Sequence, residues 1–356
     1  MIGCACQLTN RQKTHVRILL IKLKHIGDAL IMTPTIAAIR TAHPGARVSV
    51  LVRAGTEGIL AGCPFIGKIH LTEAPEKKKR GKNTFRRTLA LWRDLRRENF
   101  DHVFELGGSH RGLFLALISG ANRVWFNNHR NTAPAWWRLA GGRQANVDTA
   151  GRHAVESDWL AVSRVLSLPP PGQLVYRDDT AASFEVPRRF IVLHPGTRWR
   201  RKQWSEDNWR RLLDSLATED VDVLVSVGPD PEEIALGDRL CEHCPERVRS
   251  TRGTWNFGRL ASALHRAEFY LGVDTAAMHL AAACGRPVIT LFGESDPAIW
   301  APWRTPFVLF RAPLLVPAPP PPAPKRRLDD IPVEAVAAAC RRFLRETPCS
   351  QEVIDV

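Results

Sequence analysis

Short apolar runs alternate with amphipathic segments along the whole chain. The first run, Arg17 to Leu23, is apolar enough to be a strand buried in a parallel sheet. Ala29 to Arg40 follows with helical character, and Pro34 after Thr33 predicts that this helix restarts or bends there. Arg47 to Val52 is the next apolar run. This order of strand, helix and strand is typical of the opening of a Rossmann-like unit.

The same alternation starts again after a polar, turn-rich segment in the middle of the chain. Arg189 to Leu193 and Asp222 to Gly228 are strand-like, and Trp255 to Arg266 is helical. The pattern therefore predicts an α/β protein in which two Rossmann-like parallel-sheet domains face each other across a cleft. We predict an amino-terminal domain at 1–170, a linker at 171–188, a carboxyl-terminal domain at 189–316, and a proline-rich spacer with a final helix at 317–356.

The segment from Gly272 to Gly293 has the pattern of a strand end, a polar turn, a helix and a further strand. Asp274 or Thr275 is placed to cap the helix by accepting from its free backbone N–H groups. Those N–H groups and the positive end of the helix favour a bound anion. The segment therefore predicts a phosphorylated or nucleotide ligand at the carboxyl edge of a sheet.

The composition adds a strong positive charge to this picture. The chain has 356 residues, an ordinary hydrophobic content of 44% and a net charge of +14. Such an excess calls for an acidic partner, which is nucleic acid, an anionic membrane or a phosphorylated substrate. Ten Lys or Arg residues lie between Lys77 and Arg97, where an amphipathic helix with either a solvated charged face or a phosphate-binding patch is expected.

Several function classes lack their expected signals. No G-x-G-x-x-G is present to support a nicotinamide-dependent oxidoreductase. No helix-turn-helix, RNP or zinc-finger pattern supports a nucleic-acid-binding protein, although a basic face alone suffices for polyanion binding. Cys241-x-x-Cys244 has no second ligand pair at zinc-finger spacing, and Asp220-x-Asp222 enters a strand instead of leaving one. We therefore expect no metal and no cofactor.

Three separated motifs carry a resemblance to a known family. They are Ile21 to Leu30, Leu193 to Thr197 with Lys202-Gln203-Trp204, and Gly272 to Thr275 with His279. In this order they resemble the lipopolysaccharide heptosyltransferases, glycosyltransferase family 9, and most closely the heptosyltransferase III branch. Ala276 differs from the family pattern, since many relatives have glycine there.

The resemblance implies a GT-B fold and an inverting, metal-independent glycosyl transfer. The carboxyl-terminal domain would hold ADP-heptose, and the amino-terminal domain would hold the inner-core acceptor of lipopolysaccharide. The enzyme is then expected in the cytoplasm, peripheral to the anionic inner face of the cytoplasmic membrane, with no nucleic-acid partner. The amino end does not have the pattern of a signal peptide. An alternative is another family 9 transferase that acts at an earlier heptose position or on a different sugar.

The same resemblance points to Asp28 as the base that takes the acceptor hydroxyl proton. The alternative interpretation is that Asp28 only caps its helix. On the acceptor side we also expect contacts from Lys24 and, because of the positive charge of the basic segment and not because of the resemblance, from Arg86 and Arg93. Inversion by direct displacement needs such a base on the face opposite the leaving group.

The donor-side assignments concern the charge of the leaving ADP. Candidates to stabilise it are the Lys202 ammonium, the Thr197 hydroxyl and the helix N–H groups that follow Asp274 and Thr275, beginning at Ala276. His279 lies one turn into that helix and either reaches the diphosphate or only packs. Asp274 is alternatively a ligand of heptose hydroxyls. Glu232 or Glu233 is expected to bind the ribose, as carboxylates do in other nucleotide sites.

Overall fold

The computed structural model describes residues 16–73, 82–126, 135–139, 142–145, 147–177, 186–317 and 325–356. The amino-terminal half forms a parallel sheet with the strand order β3-β2-β1-β4-β5-β6. The strands are β1 (Arg17–Ile21), β2 (Arg47–Arg53), β3 (Lys68–Thr72), β4 (His102–Glu105), β5 (Arg123–Phe126) and β6 (Arg143–Gln144). The helices are α1 (Ile26–Ile31), α2 (Thr33–Ala42), α3 (Lys82–Arg97), α4 (His110–Ile118), α5 (Ala135–Leu139) and α6 (Ala154–Leu166).

The carboxyl-terminal half forms a second parallel sheet with the order β13-β12-β11-β10-β7-β8-β9. Its strands are β7 (Phe190–His194), β8 (Asp222–Val225), β9 (Val248–Ser250), β10 (Tyr270–Val273), β11 (Val288–Phe292), β12 (Phe307–Arg311) and β13 (Gln351–Asp355). Its helices are α7 (Glu206–Ser215), α8 (Pro231–His243), α9 (Phe257–Leu264), α10 (Ala276–Ala283), α11 (Pro297–Trp300) and α12 (Val333–Arg345). The prediction of two Rossmann-like parallel sheets is confirmed.

The first helix of the chain breaks where the sequence predicted. α1 ends at Ile31 and α2 begins at Thr33, with Pro34 in its first turn. The Thr33 hydroxyl donates to the carbonyl oxygen of Leu30 at 2.7 Å. Because proline has no N–H group, it fits a helix start at little cost and interrupts a continuing helix. α1 and α2 are therefore two separate helices that meet at Met32.

The two halves share hydrophobic core where α1 meets α10. One buried cluster contains Leu30 and Met32 from the first half together with Met278 and Leu280 from the second. At Gly27 an added Cβ would lie 3.0 Å from Cδ2 of the His279 ring. The glycine therefore permits the close approach of the two helices, which brings the start of α1 next to α10.

Most of the predicted proline-rich spacer, at 318–324, lies outside the described residues, and the chain beyond it contains a strand as well as the predicted final helix. α12 is followed by β13, which pairs in parallel with β12 at the edge of the second sheet. Its residues alternate between exposed and half-buried positions, as a strand at a sheet edge allows. None of the helices that the structure describes has both the length and the apolar character needed to span a bilayer.

Candidate active site

Each sheet has one point at which its strand order reverses. In the first sheet this point lies between β1 and β4, and in the second between β7 and β10. Ligands of open α/β sheets bind in the crevice at the carboxyl ends of such strands. Asp28 follows β1, Thr197 follows β7, and Asp274 follows β10. The predicted site residues therefore lie where this topology forms binding crevices.

Asp28 is a buried carboxylate with one engaged oxygen and one unpartnered oxygen. Its Oδ2 accepts a hydrogen bond from the backbone N–H of His25 at 3.1 Å, and this bond stabilises the start of α1. Its Oδ1 is buried and has no hydrogen-bond partner within the described part of the chain. A buried carboxylate oxygen normally has a partner. The helix-cap role and a role toward a ligand are therefore compatible, because they use different oxygens.

His279 faces Asp28 from the other half of the molecule. The imidazole is 3% exposed, and its Nδ1 has no partner among the described residues. Burial lowers the pKa of His279, while the charges of Asp274 and Asp28 act in the opposite direction. The ring is therefore neutral at physiological pH, and both carboxylates are close enough to act on it electrostatically.

Lys202, Asp274 and Ser295 form a compact polar group in the carboxyl-terminal half. The Lys202 ammonium lies 2.7 Å from Oδ2 of Asp274 and donates to Oγ of Ser295 at 2.9 Å. The Ser295 hydroxyl donates to the same oxygen of Asp274 at 2.5 Å. An ammonium has three donors, so Lys202 keeps one N–H for a ligand. Its position is set before any ligand binds.

The prediction that Asp274 or Thr275 caps α10 through its side chain is wrong. Thr275 occupies the N-cap position with extended backbone but forms no side-chain cap. Its Oγ1 instead lies 3.3 Å from Oη of Tyr270, and the Asp274 carboxylate is held by Lys202. The first-turn N–H groups, beginning at Ala276, therefore lack a side-chain acceptor. Unsatisfied N–H groups of this kind form an anion-binding helix end.

The turn after β7 brings Thr197 to the same crevice. Thr197 is buried, and its carbonyl oxygen accepts from the side-chain amide of Gln203 at 2.8 Å. This bond closes the turn that precedes Lys202, which ends a short 3₁₀ helix beginning at Arg200. The turn therefore fixes the threonine hydroxyl and the lysine in one local structure.

The two glutamates at the start of α8 differ in environment. Glu233 is partly buried, and its Oε2 accepts from the backbone N–H of Gly228 at 2.8 Å. Glu232 is exposed, and its carboxylate lies 2.8 Å from the Arg200 guanidinium. A cavity of about 520 Å³ adjoins both carboxylates. Glu233 shapes the turn after β8, which leaves Glu232 as the more accessible carboxylate.

Some residues of the crevices were missed by the sequence analysis. Ser295 follows β11 and binds both Lys202 and Asp274. Glu105 ends β4 and is fully buried, so its pKa is raised to about 7 even though backbone N–H groups of the following turn bind it. Asp158 of α6 forms a buried ion pair with Lys22. Of these three residues, only Glu105 could have been proposed from the sequence, because it lies at the end of a predicted strand.

The structure separates the predicted acceptor residues. Lys24 is exposed in the turn before α1, and its charge acts on buried Glu105, so it lies at the crevice of the first sheet. Arg86 and Arg93 are exposed on α3. That helix packs most extensively on β3 and α4, and the contact of either arginine with the acceptor stays a prediction.

One group of potential metal ligands lies outside both crevices. Asp214, His243 and Cys244 place ligand atoms within 4.8 Å of one another, at the ends of α7 and α8. His243 Nε2 lies 2.8 Å from Oδ1 of Asp214. Cys241, the partner of Cys244 in the C-x-x-C pattern, is not part of this group.

Comparison with known proteins places this arrangement in a family. The sequence profile of glycosyltransferase family 9 (heptosyltransferase) matches residues 88–314, which is more than half of the chain. The chain is 26% identical over 346 residues to lipopolysaccharide heptosyltransferase 3 of Escherichia coli K12, covering 91% of this chain and 97% of that protein. A second Escherichia coli protein of the same name is 25% identical over 295 residues, with 80% and 86% covered.

The fold is also similar to solved structures. Escherichia coli heptosyltransferase WaaC with ADP superposes with a TM-score of 0.78 at 22% identity, covering 92% of this chain and all of that chain. Escherichia coli ADP-heptose lps heptosyltransferase II gives a TM-score of 0.72 at 18% identity, with 93% and 99% covered. At this identity the likeness concerns the fold.

Proposed function

The chain belongs to glycosyltransferase family 9, and from this premise we propose that it transfers heptose from ADP-heptose to the inner core of lipopolysaccharide. The observation that carries the proposal is the close approach of the two crevices at α1 and α10, where Gly27, next to Asp28, lies against His279. The two relatives named lipopolysaccharide heptosyltransferase 3 support the proposal that the enzyme is a heptosyltransferase III.

The donor diphosphate binds at the start of α10. The N–H groups there lack a side-chain cap, and Lys202 has a donor left after binding Asp274 and Ser295. These groups stabilise the negative charge that develops on the departing ADP, as preorganised donors do in other transferases. The Thr197 hydroxyl supplies a further donor, and Glu232 contacts the ribose. No metal is needed for this stabilisation.

Asp28 is the catalytic base for an inverting displacement. Its Oδ1 accepts the proton of the acceptor hydroxyl while that oxygen attacks the anomeric carbon and ADP leaves from the opposite face. The bond from the backbone N–H of His25 to Oδ2 holds the carboxylate in position. His279 is neutral and adjacent, so it donates or accepts a hydrogen bond to the bound sugars.

The test separates turnover from donor binding. With ADP-heptose and a truncated core acceptor, Asp28→Asn should lower turnover by about 10² to 10⁴, the usual contribution of a placed base. Its affinity for ADP, measured by calorimetry, should stay near that of the wild type, because ADP contacts lie in the other half. Asp207→Asn, an exposed acid on α7, is the matched control. Wild-type turnover in Asp28→Asn would refute the assignment.

A second candidate within the family is transfer to an earlier heptose position or transfer of another sugar. The family match does not distinguish acceptors, and acceptor choice depends on the crevice of the first sheet. Incubation with core acceptors that differ by one heptose identifies the position from which product forms. Turnover with a different nucleotide sugar in preference to ADP-heptose would favour the alternative.

The enzyme works at the anionic inner face of the cytoplasmic membrane. The net charge of +14 supports this, as does an exposed apolar pair on α5, formed by Trp136 and Leu139. Co-sedimentation with phosphatidylglycerol vesicles should be strong at low salt and weak with phosphatidylcholine vesicles. Trp136→Ser should reduce it, whereas equal binding to both vesicle types would contradict the charge argument.

A further inference from the structure

Two arginines and a threonine converge at the carboxyl edge of the first sheet. Arg53 ends β2 and is paired in register with Thr72, which ends β3. Arg111 lies in the first turn of α4, and its Nη2 donates to Oγ1 of Thr72 at 2.7 Å. The three side chains thus come from neighbouring elements and meet at one end of the sheet.

Among the described residues, no carboxylate forms an ion pair with either arginine, and Nε of Arg53 is buried without a hydrogen-bond partner. Burial lowers the pKa of Arg111, and repulsion from Arg53 lowers it further. The two cations are therefore close enough to repel each other in a partly desolvated place.

The described acids that are closest in sequence to these residues have partners of their own. Glu57 accepts from the backbone N–H of Gly55 at 2.6 Å, and Glu73 pairs with Arg87. Glu105 accepts from the backbone of the turn that follows β4. None of these three carboxylates forms an ion pair with Arg53 or Arg111 within the described ranges.

Unpaired cations that repel each other in a partly buried place cost stability unless an anion binds them. We propose that Arg53, Thr72 and Arg111 form a subsite for a phosphate ester carried by the acceptor substrate. This inference rests on the proposed function, because it assigns the ester to the acceptor of that reaction. It concerns residues other than Lys24, Arg86 and Arg93.

The donor set fits a phosphate monoester better than a carboxylate. Two guanidinium groups supply two positive charges and several N–H donors, which match a dianion with three terminal oxygens. Thr72 accepts from Arg111 through a lone pair, so its hydroxyl proton remains free to bind a phosphate oxygen.

The subsite lies beside the strand that leads to Asp28. The backbone N–H of Lys22 donates to the carbonyl oxygen of Leu51 at 3.1 Å, which continues the pairing of β1 with β2 up to this edge. Arg53 is two residues further along β2. Asp28 and the arginines therefore lie at the same carboxyl edge of the first sheet, on neighbouring strands.

The experiment compares matched acceptors in the same assay. Arg53→Gln and Arg111→Gln should each raise the acceptor KM about 10-fold for a phosphorylated core fragment, with little change in kcat or in the ADP-heptose KM. For the fragment dephosphorylated by hydrofluoric acid, wild type and variants should have equal KM values. Arg111→Lys should restore part of the loss. Arg123→Gln, an exposed arginine at the start of β5, is the control.

The outcomes separate this inference from the proposed function. Calorimetry of the phosphorylated fragment without donor measures the subsite even if no heptose is transferred. Weaker binding by the variants there supports the subsite, and absent turnover by the wild type then refutes only the proposed function. The subsite is refuted if variants and wild type distinguish the two fragments equally. A further comparison uses the fragment with intact carboxylates and the same fragment after its carboxylates have been reduced. If the variants bind the intact fragment more weakly but bind the carboxyl-reduced fragment as well as the wild type does, the arginines bind a carboxylate and the phosphate subsite is refuted.

Discussion

The buried ion pair between Lys22 and Asp158 offers a quantitative test of how the first crevice is held together. Lys22 follows β1 and Asp158 lies in α6, and their charged atoms are 2.6 Å apart with side chains only 4% and 5% exposed. Burial raises the pKa of Asp158, whereas the charge and hydrogen bond of Lys22 lower it. Lys22→Met therefore leaves a buried carboxylate without its cation, which costs about 3–5 kcal/mol in comparable cases.

The size of the loss should depend on pH, because the carboxyl group can take up a proton instead. From its usual pKa of 3.8 to an assay at about pH 7.5, protonation costs about 5 kcal/mol at 1.36 kcal/mol per unit. At about pH 5.5 the same cost is about 2 kcal/mol. The variant has a raised folded-state pKa at Asp158, so its stability is lost as pH rises through this window.

Urea unfolding at the two pH values, followed by circular dichroism, measures this difference. Lys68→Met is the matched control, since Lys68 forms exposed ion pairs with Asp94 and Glu98. This variant should lose less than about 1 kcal/mol of unfolding free energy. The double variant Lys22→Met with Asp158→Leu should recover most of the stability. If Lys22→Met destabilises no more than Lys68→Met, or if its destabilisation does not shrink at the lower pH, then the buried ion pair does not stabilise the fold in this way.

Three further predictions follow from single contacts. Gly27→Ala should lower kcat about 10-fold by pressing on the His279 ring at 3.0 Å, while Gly172→Ala, which meets open space, should leave kinetics unchanged. Glu105 ionises at about 4.5 when unfolded and at about 7 when folded, so wild-type stability should fall by up to about 3 kcal/mol as pH rises through that window. Urea unfolding of Glu105→Gln should show this slope removed. Lys202→Met should lower kcat about 10²-fold and weaken ADP binding, measured by steady-state kinetics and calorimetry.

The architecture was predictable because its signals are local. Uninterrupted apolar runs such as Arg17 to Leu23 predict buried parallel strands, and Pro34 predicts the break between α1 and α2. The turn motifs after β1, β7 and β10 predicted Asp28, Lys202 and Asp274, which the structure places at the two switch points.

The remaining features depend on contacts between distant parts of the chain. Ser295 takes part in the site only because β11 lies beside β10, so that its hydroxyl reaches Asp274. A contact between distant residues also explains why the predicted side-chain cap of α10 is wrong. The Asp274 carboxylate binds Lys202 instead of the N–H groups at the start of the helix. β13 was missed because its exposed, alternating residues carry little of the apolar signal of a central strand.

The proposed reaction adds one heptose to the lipopolysaccharide core with Asp28 as the base. Mass spectrometry of core oligosaccharide from cells lacking the gene tests it most directly, with the wild-type gene or the Asp28→Asn variant returned on a plasmid. We expect a core short of one heptose in the deletion strain, restored by the wild type and not by Asp28→Asn. An unchanged heptose content in the deletion strain, or full restoration by the variant, would contradict it.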